Sequence, residues 1–334
     1  MPGSFPPPRP PVPSPAAFPL ESLPMELAER LLDGDVRALA RAISMVEDRS
    51  EALPELLSAV RGRAGQAHVV GLTGPPGSGK STLADGVVER WRALDRDVGV
   101  LAVDPSSPFS GGAILGDRVR MQRHALDRGV YIRSMAARGH LGGLASAARE
   151  AIRLIDASGR RHCLLETVGV GQSELEVMLT ADTVVVVTTP VAGDGVQLIK
   201  AGILEIADIF VVNKADLPGT DRVVRELRRM VHESNREMRW EPPVLTTTAT
   251  GGEGVAELVA EVDRHLEWAT GDGELQRRRS RRLVAEVEAI VAERAVERAR
   301  SALRETIDTD DLGDLAGVDP YALADRILNG RRSG

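Results

Sequence analysis

Lysine is nearly missing from this chain. It has 42 lysines and arginines in 334 residues, yet Lys80, Lys200 and Lys214 are the only lysines. An intramolecular disulfide is ruled out, because Cys163 is the sole cysteine, and one thiol fits a reducing compartment. In the run Cys163-Leu164-Leu165 that thiol reads as a small core residue. Excess positive charge is lacking too: the formal net charge is -7, which gives no reason to expect a nucleic-acid partner. No apolar run approaches the ~18 residues that span a bilayer, so no membrane partner is expected. Residues 1–20 are rich in proline and lack both the apolar core of a secretory signal and the arginine-rich pattern of a transit peptide. They read as a disordered tail on a cytoplasmic protein. No internal repeat is evident. With 43% hydrophobic residues, the chain has ample material for a substantial core.

What is present is order along the chain. Residues 21–65 carry helical spacing: Leu27, Leu31 and Leu32, then Val36, Leu39, Ala40 and Ile43 after a Gly-Asp break. Strand signals follow at 68–72, 98–103, 130–134, 162–167, 183–189, 209–212 and 244–247, with helical patterns between most of them. Near-continuous apolar strands such as Val184-Val185-Val186-Val187 suit a mainly parallel sheet sandwiched by helices. Residues 66–270 therefore read as one α/β domain, flanked by helical extensions at 21–65 and 271–334. In the second extension Leu283, Val284, Val287, Ile290 and Val291 stripe a long charged helix. Another helix is expected from Asp319-Pro320, with Asp as cap and Pro at the first position. The arginines of 277–282 have acidic residues close downstream and read as a solvated helix face.

Two motifs then define the chemistry. Gly74-Pro75-Pro76-Gly77-Ser78-Gly79-Lys80-Ser81 follows the first strand and matches G-x-x-x-x-G-K-[ST], making the α/β domain a P-loop NTPase. Its glycines let successive N–H groups converge on phosphate oxygens, and the helix beginning near Gly79 adds its positive end. Lys80 reaches the β- and γ-phosphates, the Ser81 hydroxyl is a ligand for Mg2+, and Thr82 is placed for the α-phosphate. Asn213-Lys214-Ala215-Asp216, after Phe210-Val211-Val212, matches the guanine-reading N-K-x-D. The Asp216 carboxylate accepts two hydrogen bonds, which guanine offers on one edge and adenine does not. The discrimination is on the order of several kcal/mol. Asn213 braces neighbouring loops, the Lys214 stem lies over the base, and Thr248-Ala249-Thr250 closes over it. Two of the three lysines stand in these motifs, where a compact ammonium differs from a planar guanidinium. A GTP-hydrolysing enzyme that cycles between GTP and GDP with Mg2+ is the leading reading.

Three acids are candidates for the metal and the attacking water. Asp104 and Glu166 end apolar strands, where ligands of parallel sheets collect, and Asp117 lies in a glycine-rich loop. Lys80, Asp104 and Glu166 are the catalytic candidates; Ser81, Asp104, Asp117 and Glu166 are the metal candidates.

The phosphate loop, Val103-Asp104-Pro105-Ser106-Ser107, Gly116-Asp117-Arg118, the run Glu166-Thr167-Val168-Gly169-Val170-Gly171-Gln172-Ser173-Glu174 and Asn213-Lys214-Ala215-Asp216 together resemble one family. It is the methylmalonyl-CoA mutase-associated GTPases of the MeaB type, once described as arginine/ornithine transport kinases. The likeness extends upstream through residues 34–43 and downstream to Asp319-Pro320-Tyr321. It implies a G-protein chaperone of a coenzyme-B12-dependent acyl-CoA mutase, methylmalonyl-CoA mutase or a relative. Such a chaperone gates adenosylcobalamin delivery and protects or reactivates the mutase. The likeness also implies a homodimer joined through the C-terminal helices. One loop departs from the family pattern: in Pro190-Val191-Ala192-Gly193-Asp194-Gly195-Val196-Gln197-Leu198-Ile199-Lys200, Asp194, Gln197 and Lys200 match, while Val191, Gly195 and Leu198 are atypical. That loop is the family's link to the mutase, so the identity of the mutase is open. Two other readings stand beside this one. A small-molecule kinase needs an acceptor pocket with a base, and Asn213 with Asp216 would be odd for an ATP user. A nickel-delivery GTPase needs His and Cys ligands at metal spacing, against one cysteine and six scattered histidines here.

Overall fold

The computed structural model describes residues 23–104, 122–124, 126–136, 143–167, 178–190, 203–234, 239–306 and 319–328. Strands form where β-branched residues run together: β1 (His68–Thr73), β2 (Val98–Asp104), β3 (Val130–Ala136), β4 (His162–Thr167), β5 (Thr183–Thr188), β6 (Ile209–Asn213) and β7 (Val244–Thr247). They make one sheet in the order β3-β2-β4-β1-β5-β6-β7, with every pair parallel. All seven strand signals in the sequence fall on these strands. The parallel order brings the carboxyl ends of all seven to one side.

Each face of the sheet is covered, which is why β1, β5 and β6 are buried throughout and mostly apolar. On one face Val70, Leu72, Val185, Val187 and Val211 pack with helix α4 (Lys80–Ala93) and helix α8 (Val255–Gly271) through Leu83, Val87, Trp91, Leu258 and Val259. The opposite face meets α5 (Gly143–Ala157) and α7 (Thr220–Ser234). A short helix, α6 (Ile203–Ile206), precedes β6. Beyond α5 lie α1 (Leu23–Leu32), α2 (Val36–Glu47) and α3 (Leu53–Val60), which bury Leu31, Leu39, Ile43 and Leu56. Helix α2 starts where Asp35 accepts the N–H groups of Arg37 and Ala38, at 2.7 and 3.3 Å. The hydrogen bond from Arg30 and those N–H groups hold the Asp35 carboxyl below its usual range. Cys163 is buried in the core, and burial pushes its thiol up, away from reactivity.

Contacts divide the chain into two compact units, Met1–His265 and Leu266–Gly334. The second contains α9 (Glu274–Thr306), 33 residues long, and α10 (Pro320–Leu328), whose first turn is capped by Asp319 accepting the Tyr321 N–H at 2.9 Å. Leu283, Val284, Val287, Ile290 and Val291 are exposed on α9. Its arginines are ion-paired as a solvated face should be: Arg277 bonds Asp272 and Glu274, and Arg278 and Arg281 also reach Glu274. Among the described residues, no helix is long and apolar enough to cross a membrane.

Candidate nucleotide site

Between β1 and α4 the chain makes a tight turn that excludes side chains. Gly74 sits at φ +148, and a Cβ there would lie 2.0 Å from the Val187 carbonyl oxygen. Gly79 sits at φ +86, where a Cβ would lie 2.4 Å from Asn213 Nδ2. The Ser78 N–H donates to Pro75 O at 3.2 Å and closes the turn. Pro76 and Gly77 are exposed at its tip. Helix α4 then begins with Gly79 as cap and no side-chain bond to its first N–H groups, which leaves the positive helix end facing the loop. Thr82 lies in its first turn. The Lys80 ammonium is buried and donates to Gly74 O at 2.8 Å and Pro75 O at 3.1 Å.

Glu166 is the last residue but one of β4, paired in register with Leu72 of β1 and Ala102 of β2. Its Oε1 accepts the Ser81 hydroxyl at 2.6 Å, and both residues are buried. This is a short, charge-assisted hydrogen bond. Asp104 ends β2, the strand next to β4, so the two acids stand at the carboxyl ends of neighbouring strands. Asp117 lies outside the described residues, as do Gly169 through Glu174 and the loop containing Asp194, Gln197 and Lys200.

At the end of β6 Asn213 uses both its amide nitrogen and its amide oxygen to hold the chain. Its Nδ2 donates to Ser78 O at 2.8 Å, and its Oδ1 accepts Thr247 Oγ1 at 3.0 Å and the Ala249 N–H at 3.1 Å. Lys214 takes a left-handed backbone, φ +58, and its Nζ donates to Gly77 O at 2.9 Å. The base-reading segment is thus tied to the phosphate loop at two adjacent carbonyls. Asp216 is exposed on the turn that follows, with its carboxylate unpaired among the described residues. The Thr248 N–H donates to Glu253 O at 3.0 Å. With Ala249 also engaged, Thr250 is the member of that trio whose N–H is untaken among the described residues. Sequence reasoning missed two elements: the direct Ser81–Glu166 bond, and Thr247 as the brace of Asn213. Neither has a local signal, because each joins segments remote in the chain.

The family model described as "Methylmalonyl Co-A mutase-associated GTPase MeaB" matches residues 39–304. A Pyrococcus horikoshii protein carrying a GTPase name is 46% identical over 306 residues, covering 91% of this chain and 96% of that one. The Mus musculus protein named methylmalonic aciduria type A homolog, mitochondrial, is 32% identical over 91% of this chain and 78% of its own length. A crystal structure titled LAO/AO transport system kinase superposes with a TM-score of 0.70 at 26% identity, covering 94% of this chain and all of that one.

Proposed function

Because the chain belongs to the MeaB family of mutase-associated GTPases and is itself a GTPase, we propose that it serves a coenzyme-B12-dependent acyl-CoA mutase as a G-protein chaperone. The observation carrying this reading is the family match across residues 39–304, supported by the mouse relative whose name concerns methylmalonic aciduria. In this reading the nucleotide state gates adenosylcobalamin delivery and protects or reactivates the mutase. The single buried cysteine suits the reducing cytoplasm, where we place the protein.

GTP and GDP bind with their phosphates in the loop of residues 74–82 and their base against Asn213, Lys214, Asp216 and residues 248–250. Lys80 exchanges its carbonyl partners for phosphate oxygens and neutralises charge that builds on the leaving group. Ser81 and Glu166 present oxygen donors 2.6 Å apart in a buried position, the hard donor type that Mg2+ takes. Together with Asp104 and Asp117 they would hold that ion. When bound, Mg2+ would supply charge stabilisation to the phosphates. Asp216 selects guanine, and Asn213 keeps the base-reading segment in register with the phosphate loop.

The test is phosphate release from GTP with and without a B12-dependent acyl-CoA mutase from the same organism. Turnover is expected to rise with the mutase. Gln197→Ala with Lys200→Ala should remove that stimulation while basal hydrolysis persists. No stimulation by any such mutase, with good basal turnover, would leave a GTPase serving a different client. A parallel comparison of GTP with ATP, with and without arginine, separates this role from a small-molecule kinase.

A further inference from the structure

The amino ends of the strands, opposite the nucleotide loops, hold a buried polar chain that the GTPase reading does not use. His68, which starts β1, places Nε2 2.8 Å from Thr183 Oγ1 at the start of β5. The same hydroxyl lies 2.8 Å from Nδ1 of His265 on α8. His265 Nε2 lies 3.2 Å from Asp208 Oδ1, just before β6, while Asp208 Oδ2 accepts the Val184 N–H at 2.8 Å. None of the four residues is more than 4% exposed. Trp240 seals the group: its ring meets the His265 ring edge-on at 4.9 Å, and its Nε1 donates to Asp208 O at 2.8 Å. The Arg264 guanidinium stacks over that indole at 5.2 Å.

Thr183 has one hydroxyl proton, so it gives that proton to one of the two imidazoles and accepts an N–H from the other. The imidazole that accepts has a lone pair on the nitrogen facing Thr183, and a proton placed there sets two donors against each other. His68 Nδ1 has no partner among the described residues. A proton that makes His68 a cation therefore leaves a buried charge whose outer N–H finds no acceptor among the described residues.

We propose that His68, Thr183, His265 and Asp208 form an acid-released latch holding helix α8 to the start of β1, the strand that leads into the phosphate loop. His265 is also the last residue of the first unit, so α8 is the helix by which the chain leaves it. The charged and titratable groups facing His68 are Asp182, His162 of β4, and His265 and Asp263 of α8. Burial outweighs them and pushes His68 down to about 4, the two carboxylates pulling up and the two histidines down. The folded value lies below the unfolded 6.5, so the unfolded chain takes up the proton first. The latch is therefore closed above about pH 6.5 and loses stability as the pH falls toward 4.

Hydrogen exchange of the full chain tests this. After correction for intrinsic rates, amides of residues 255–265 should lose protection at least about tenfold between about pH 7.5 and about pH 5.5, while α5 changes little. Thr183→Val, nearly isosteric, should show the low protection at both pH values. Equal protection of wild type at both, or a Thr183→Val protein that matches wild type throughout, would overturn the latch. Nitrogen NMR of the wild-type imidazoles needs no variant. It should find a proton on only one of His68 Nε2 and His265 Nδ1 at neutral pH, and protons on both would defeat the bridge through Thr183.

Discussion

At the scale of single residues, the nucleotide site is a set of groups already committed to one another. Lys80 and Lys214 hold loop carbonyls, Asn213 holds Ser78, and Ser81 holds Glu166. Asp216 is the exception, exposed and unpaired among the described residues, and guanine selection should rest on it. Asp216→Asn should weaken GTP binding at least about tenfold, or about 1.4 kcal/mol, and improve binding of xanthosine triphosphate. Equal GTP affinity of variant and wild type in a titration would remove Asp216 from that role. Lys80→Ala should abolish detectable turnover in a phosphate-release assay, by removing the positive charge from the phosphates. Glu166→Ala should raise the Mg2+ concentration needed for half-maximal rate and lower kcat. Normal hydrolysis by Glu166→Ala at low Mg2+ would take that carboxylate out of the metal set.

At the scale of elements, close approach of backbone layers explains several glycines. Gly99 of β2 faces α5 so closely that a Cβ would lie 2.2 Å from Ile155 Cγ2. Gly99→Ala should destabilise the protein by about 1–3 kcal/mol through overpacking. Ile155→Ala removes the obstructing methyl, so the double variant should be less destabilised than the sum of the two singles. Urea unfolding of the four proteins measures this, and strict additivity would mean that strand and helix do not meet as described. The elements themselves were largely legible, because parallel strands covered on both faces are mostly apolar and their ends carry the motifs. Strand ends that continue the pairing with polar residues were harder to place. Thr73 and Asn213 extend β1 and β6 past their apolar runs, and backbone pairing rather than side-chain pattern puts them there. Phosphate loop and base-reading segment were legible as motifs. The bonds joining them were not, since a hydrogen bond between residues 78 and 213 leaves no periodicity in the sequence.

At the scale of the whole molecule, the exposed stripe on α9 is apolar surface of the kind that self-association covers, and we propose that a second copy of the chain covers it. Val287→Glu with Ile290→Glu should shift the protein to monomer in sedimentation while leaving basal GTP turnover in place. A variant that sediments like wild type would place the contact elsewhere. The strand order carries a consequence for synthesis. Strand β1 lies between β4 and β5, and its partner in β4 comes 94 residues later in the chain. At ribosomal speed that gap is about 5–20 s. Throughout it the nascent chain displays the apolar run Val69-Val70-Gly71-Leu72 with neither neighbouring strand yet made, and α1 to α3 wait for α5. The phosphate loop thus emerges early from the ribosome but acquires its shape late. The interval is one in which a holdase chaperone would find its target, and a protein designed to bind GTP begins life unable to do so.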